Sequence, residues 1–337
     1  MAVVTQSKRF HLAVLGLLGA CVLVLAGAQI LRPANTVSKA PKSIIALPKE
    51  KDPKKASLEQ ALKGDQKRAG GKLTVSALNK TFSKIGYELD PVLDGKSAVP
   101  RLFLSSLPYD LGRMKEADER KSLFFRTLLP LVLRVNEEIK ENRAKVWRLR
   151  HRLSVGLDIR AEDRIWLDAA FDKYKVKSAR FDRLLEKMDV VPPSLALAQA
   201  AEESGWGTSR FTREGNALFG QWTHNPKDKG IVPQNREEGK THRIKAFDSL
   251  SGSLKAYVLN LNTHKAYRGF RALRKQMHEK GEVLRGYELV TTLDKYSERG
   301  EEYVTSLQAI IKNNDLMRFD KATLDDDDIK HLNNPLI

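Results

Sequence analysis

The sequence predicts a mostly helical α+β fold with one small β-hairpin, preceded by an apolar N-terminal segment and a basic linker. Three observations predict it. From Leu73 onward, apolar residues recur three and four positions apart in segment after segment. Between Gly230 and Phe247 that period gives way to two short runs around the polar turn Asn235-Arg236-Glu237-Glu238-Gly239. A hydrophobic fraction of 41% over 337 residues supports a sizeable core with room for a tail.

The elements follow in order. Lys8 and Arg9 precede an uncharged apolar run from Leu12 to Ala28, which Arg32 closes. That is the pattern of an export signal. It has three forms here: cleavage at Ala26-Gly27-Ala28, a lipoprotein box ending at Cys21, or a retained membrane anchor with its basic end cytoplasmic. The residues after Cys21 stay apolar through Leu25, which favours anchor or cleaved signal over lipidation. Every form places the remaining chain outside the cytoplasm, either anchored in the inner membrane or released. Residues 32–72 carry Pro33, Pro41, Pro48 and Pro53 among lysines and read as a flexible linker.

Leu78, Phe82, Ile85 and Leu89 share a helical face that ends at Asp90-Pro91. Val99 to Leu107 is a short extended apolar piece. Asp118 to Leu153 is a long helix, with Pro130 expected to kink it or mark its first turn. Arg160–Tyr174 and Ser178–Met188 are two more helices. Trp147 and Trp166 fall within amphipathic periods and are expected in the core. Pro192 and Pro193 suit the start of a helix that Gly205 would end. After the hairpin, helical periods return at Ser253–Asn262, Arg271–Lys280, Glu288–Leu293 and Glu301–Asn313. The expected organisation is a signal or anchor at 1–31, linker at 32–72, helical region at 73–185, a second domain at 186–320 and an acidic tail at 321–337.

The formal net charge is +17, from 59 Lys and Arg against 42 Asp and Glu. It points to an anionic partner: wall polymer or a phospholipid membrane surface. Nucleic acid is not expected, because no basic stripe interleaved with aromatics accompanies the charge and the export signal conflicts with it. A single cysteine excludes a disulfide within one chain, and the scattered histidines suggest no metal site. No cofactor is expected, since no Gly-rich phosphate loop is present.

The chemistry concentrates at Val191–Trp222. Glu202 and Glu203 sit on the last turn of an apolar helix, where unpaired carbonyls make negative charge unwelcome. A glutamate there, screened from water by Trp206, holds its proton tightly and suits general acid work. Leu195, Gln199 and Glu203 recur every four positions, so Glu203 shares a face with Gln199; Glu202 lies roughly 100° round the helix.

The pair Gln199-Ala200-Ala201-Glu202-Glu203-Ser204-Gly205-Trp206-Gly207 and Asn216-Ala217-Leu218-Phe219-Gly220 resembles the peptidoglycan β-N-acetylglucosaminidases of glycoside hydrolase family 73. The similarity continues through Ile244–Ser249, Thr263–Tyr267, Leu293–Tyr296 and Tyr303; Val99–Leu104 and Arg126–Arg134 are similar to the Bax-like subgroup. The resemblance implies a lysozyme-like helical domain with a small β-lobe at 186–320, acting as an endo-β-N-acetylglucosaminidase on the β-1,4 bonds of peptidoglycan glycan strands. It maps the catalytic glutamate, which precedes Ser-Gly, onto Glu203. It maps an active-site tyrosine onto Tyr296. It implies a second carboxylate on the β-lobe, Glu238 or Glu237, with the substrate's own acetamido group as the alternative. Trp206, Asn216, Phe219 and Trp222 are substrate-binding candidates. For Trp206 and Phe219 packing is an equal reading, and for Asn216 a loop hydrogen bond. Two rival functions remain at this level: a lytic transglycosylase and a non-catalytic wall-binding module.

Overall fold

A computed structural model describes residues 72–234 and 236–326. The apolar segment at 12–28, the linker up to residue 71 and the acidic tail beyond 326 lie outside the described residues. Among the described residues, no helix is long and apolar enough to cross a membrane.

The chain begins with α1 (Val75–Lys84), capped by the Thr74 hydroxyl, and the short α2 (Leu89–Leu93). The single helix expected from Leu78 to Leu89 is thus broken. Gly86 turns the chain at φ +65°, a left-handed conformation that glycine adopts without strain. Helix α3 (Ala117–Ser154) runs unbroken for 38 residues, with Pro130 well inside it rather than at its start. Helices α4 (Ala161–Lys173) and α5 (Phe181–Lys187) follow.

Helix α6 (Pro193–Ser204) sits at the centre. It is apolar on all sides, so burial on all sides is the stable solution. Leu195 through Ala201 are completely buried. Around it pack α3, α10 (Gly286–Leu289), α11 (Glu301–Asn313) and the 3-10 turn Leu316–Lys321. Its N-terminus is satisfied from that turn. Asp320 accepts from the Ser194 backbone N–H and hydroxyl, both at 2.8 Å, and from the Gly286 N–H at 3.1 Å.

Helix α7 (Arg210–Gly215) leads into the small lobe. There β1 (Trp222–Thr223), β2 (Gly230–Ile231) and β3 (Arg243–Lys245) form an antiparallel sheet in the order β1-β3-β2. The expected hairpin is β2–β3, with Ile231 opposite Ile244. The third strand, β1, is too short to show any sequence period. Helices α8 (Leu250–Thr263) and α9 (Arg268–Glu279) complete the fold.

One hydrophobic core runs from Leu73 to Leu324. Val99 bridges to Leu324, and Arg101 forks onto Glu137 at 2.7 and 2.9 Å while donating to the Asp325 carbonyl. The Arg101 fork, with Arg134 adding a further donor, holds the Glu137 carboxyl down at about 2. One expectation fails here. Trp147 is 53% exposed, with the Arg150 guanidinium 5.2 Å above its ring. Val146 and Leu149 take the buried stripe of α3 instead, and the neighbouring Trp147 falls outside it. Trp166 is half-buried beneath the Lys145 ammonium, 4.4 Å away.

Candidate active site

The site forms where α6 ends. Gly205, Trp206 and Gly207 all take left-handed backbone conformations, at φ +56°, +58° and +78°. The two glycines do this without strain; Trp206 pays for it with packing, wedged edge-on against Phe124 and Phe125 at 6.0 and 5.4 Å. Gly207 is fixed by space as well. A Cβ there would lie 2.5 Å from Leu107 Cδ1. The Ser204 hydroxyl accepts from the Gly207 N–H at 2.8 Å and pins the corner. The Ser-Gly-Trp-Gly string is therefore the chemistry of a tight helix stop.

That stop presents Glu203 half-buried. Its Oε1 accepts from the Tyr303 hydroxyl at 2.7 Å. Burial raises its carboxyl above the usual glutamate value; the Tyr303 hydrogen bond pulls the other way, Glu202 adds a small upward push and Arg299 a small downward one. Glu202 points elsewhere and is ion-paired to Arg299 at 2.6 Å. Adjacent carboxylates thus have different partners, as the helical geometry requires.

Behind Glu203 lies a chain of buried polar groups. Gln199 Nε2 donates to the Tyr303 oxygen at 2.9 Å, and the Tyr257 hydroxyl donates to Gln199 Oε1 at 2.7 Å. Burial pushes the Tyr257, Tyr296 and Tyr303 hydroxyls up, so all three stay protonated at neutral pH. Phe219 stacks on Tyr257 with ring centres 3.9 Å apart and planes 6° apart. Tyr296 lies parallel to Tyr303, 5.6 Å away.

The sequence candidates therefore separate. Tyr296 is half-buried beside Tyr303, and it is Tyr303 that touches Glu203. Phe219 is buried and packs rather than facing a cleft. Asn216 caps α7 at φ +50° and donates to the Phe247 carbonyl at 3.1 Å, tying the loop after β3 to the corner. Trp206 packs on α3. Trp222 is 65% exposed and stacks on His242 at 4.4 Å, leaving its outer face open. Glu238 is exposed on the β2–β3 loop, and no described residue ion-pairs with it; Glu237 lies 4.0 Å from Lys240. Sequence reasoning assigned no role to Tyr303 or Tyr257. The signal for them was Gln199, a lone amide in an Ala-Leu helix, which must find buried partners. Among the described residues, no cluster of His, Cys, Asp or Glu could hold a metal ion.

A helical core and a small β-lobe meet at this helix stop, where burial raises the Glu203 carboxyl above its usual value, and the family that the sequence matches is one of glycoside hydrolases. Residues 178–316 match the glucosaminidase family, described as mannosyl-glycoprotein endo-beta-N-acetylglucosaminidase. The chain belongs to this glucosaminidase family. It is similar to Protein bax of Escherichia coli (strain K12), at 34% identity over 216 residues, covering 62% of this chain and 75% of the relative. No solved structure matches.

Proposed function

We propose that the protein is an endo-β-N-acetylglucosaminidase of the bacterial envelope, cutting β-1,4 bonds of peptidoglycan glycan strands with Glu203 as general acid. The observation that carries this is the environment of Glu203: half-buried, at a helix C-terminus, holding its proton above the ordinary value and accepting a hydrogen bond on one oxygen. The proton leaves Glu203 for the glycosidic oxygen as the C1–O bond breaks. The resulting oxocarbenium-like centre is then captured by water. The activation of that water is assigned to Glu238, an exposed β-lobe carboxylate with no ion-pair partner among the described residues; the acetamido group of the substrate is the alternative. Trp222 offers its open face to a sugar ring. The charge of +17 suits retention near anionic wall and membrane surfaces.

Mass spectrometry of digested sacculi tests the reading. Reducing-end N-acetylglucosamine is expected from the wild type and none from Glu203→Gln. Anhydromuramic ends would instead identify a lytic transglycosylase, and unchanged digestion by Glu203→Gln would remove Glu203 from the chemistry. A Glu238→Gln variant of full activity would transfer the second role to the acetamido group.

A further inference from the structure

The chain Tyr257–Gln199–Tyr303–Glu203 has a direction. A hydroxyl carries one proton. Gln199 donates to the Tyr303 oxygen, so the Tyr303 proton is free to go to Glu203 Oε1. With the Gln199 amide reversed, its oxygen would take the Tyr303 proton and Glu203 would lose its donor. Tyr257 decides between the two. Its hydroxyl is completely buried, and the Gln199 oxygen is its acceptor; a reversed amide would face it with an NH2 and strand its proton. Phe219 and Tyr296 hold the two tyrosine rings flat in place. All of Gln199, Tyr257 and Tyr303 are at most 1% exposed, so water does not compete for these groups.

We infer that Tyr257 and Gln199 form a directional hydrogen-bond relay that fixes Tyr303 as donor to Glu203 Oε1 and thereby keeps the transferable proton on the other carboxyl oxygen. Gln199 and Tyr257 are positioning residues. This rests on the reading of Glu203 as the acid. The relay has two consequences. It directs the proton away from the protein interior, toward the substrate side. It also favours the ionised carboxyl, opposing burial, so that Glu203 can give its proton up and recover it at each turnover. The charged and titratable groups around Glu203 are Glu202 on α6, Arg299 before α11, Tyr303 on α11, Tyr296 in the preceding loop, and Tyr257 and Tyr267 from the α8 side.

The test is the pH profile of kcat/KM on solubilised glycan strands for the full chain and for Tyr257→Phe, Gln199→Met, Tyr303→Phe and Glu203→Gln. Tyr257→Phe keeps the ring stacked on Phe219 and deletes only the hydroxyl. Losing the relay removes the donor that favours the carboxylate, so Glu203 keeps its proton to higher pH. The alkaline limb is expected to move up by about 1 unit in Tyr303→Phe and by about half that in Tyr257→Phe, with kcat down about tenfold and KM little changed. The same midpoints are read without turnover from the 13Cδ signal of Glu203, assigned by its absence in Glu203→Gln. If Gln199→Met fails to fold, Tyr257→Phe decides alone. An alkaline limb and a 13C midpoint that stay at the wild-type position in Tyr257→Phe overturn the relay while leaving Glu203 as the acid. Full activity in Glu203→Gln overturns the acid assignment itself.

Discussion

Glu203 is placed where its charge is least welcome, and that has a stability consequence. Its native carboxyl binds a proton more tightly than the unfolded chain does. A group raised in this way stabilises the fold fully below the ordinary glutamate value and loses that contribution as pH rises through the native value. Glu203→Gln keeps the acceptor for Tyr303 and removes the ionisation. It is expected to abolish glycan cleavage, by about 10²-fold or more, while raising Tm at pH 8. The gain should vanish at pH 4, and thermal melts at the two pH values check it. Two aromatics give a second contrast at this scale. Phe219→Ala opens a buried void beside Tyr257 and should cost about 3–5 kcal/mol in denaturant unfolding. Trp222→Ala should shift stability by under about 0.5 kcal/mol, because the ring is 65% exposed; under the proposed role of Trp222 in holding a sugar ring, it should raise KM with kcat retained.

At the scale of elements, α6 and its stop form one unit. Asp320 holds the N-terminal end; Ser204 and the left-handed corner hold the other. Each device fixes the position of a helix that carries both Glu203 and Gln199. Gly207→Ala tests the corner. It combines a positive φ with a Cβ 2.5 Å from Leu107, so a loss of about 2–3 kcal/mol is expected from chemical denaturation. Activity should fall further than stability, because the shift is transmitted to Glu203 one turn away. The same logic explains the second motif. Leu218 donates its N–H to Ser253, Phe219 stacks on Tyr257, and Asn216 holds the loop after β3. The motif joins the small lobe to α8, the helix that carries Tyr257.

At the scale of the whole molecule, the region before residue 178 and the glucosaminidase match share one core. Their junction is a polar knot at the turn before α6. Asp189 bonds His278 at 2.9 Å and lies 3.5 Å from the fully buried Arg274. Arg274 donates to the Val190 and Glu186 carbonyls, Arg143 to those of Leu185 and Met188, and Asn136 exchanges two hydrogen bonds with Val191. With Asn262 of α8 donating to the Asp189 carbonyl at 2.8 Å, side chains from α3, α8 and α9 close on one turn. Against its burial, the His278 hydrogen bond first and then the charges of Arg274 and Arg143 hold the Asp189 carboxyl below its usual value. Arg274→Met should cost about 3–5 kcal/mol, because it removes a fully buried guanidinium from beside the buried Asp189 and leaves the Val190 and Glu186 carbonyls without their donor. A single cooperative transition by both far- and near-ultraviolet circular dichroism is expected for wild type and variant.

The sequence by itself determined the helical periods, the position of the hairpin and the facing of Glu203. These are local properties: apolar spacing, turn residues, and a Ser-Gly-Trp-Gly stop that sets which carboxylate shares a face with Gln199. Glu301–Asn313 could be read to the residue because its apolar positions and flanking residues mark both ends. Tertiary structure decided everything that depends on which faces meet. It broke the first helix at Gly86, left Trp147 in solvent and made Phe219 a packing residue. It also brought Tyr303, 100 positions away, onto Glu203, with Tyr257 and Gln199 behind it. No period encodes such a contact. A buried amide and two buried hydroxyls find one another because each would be costly unpaired, and only the packed core brings them within reach.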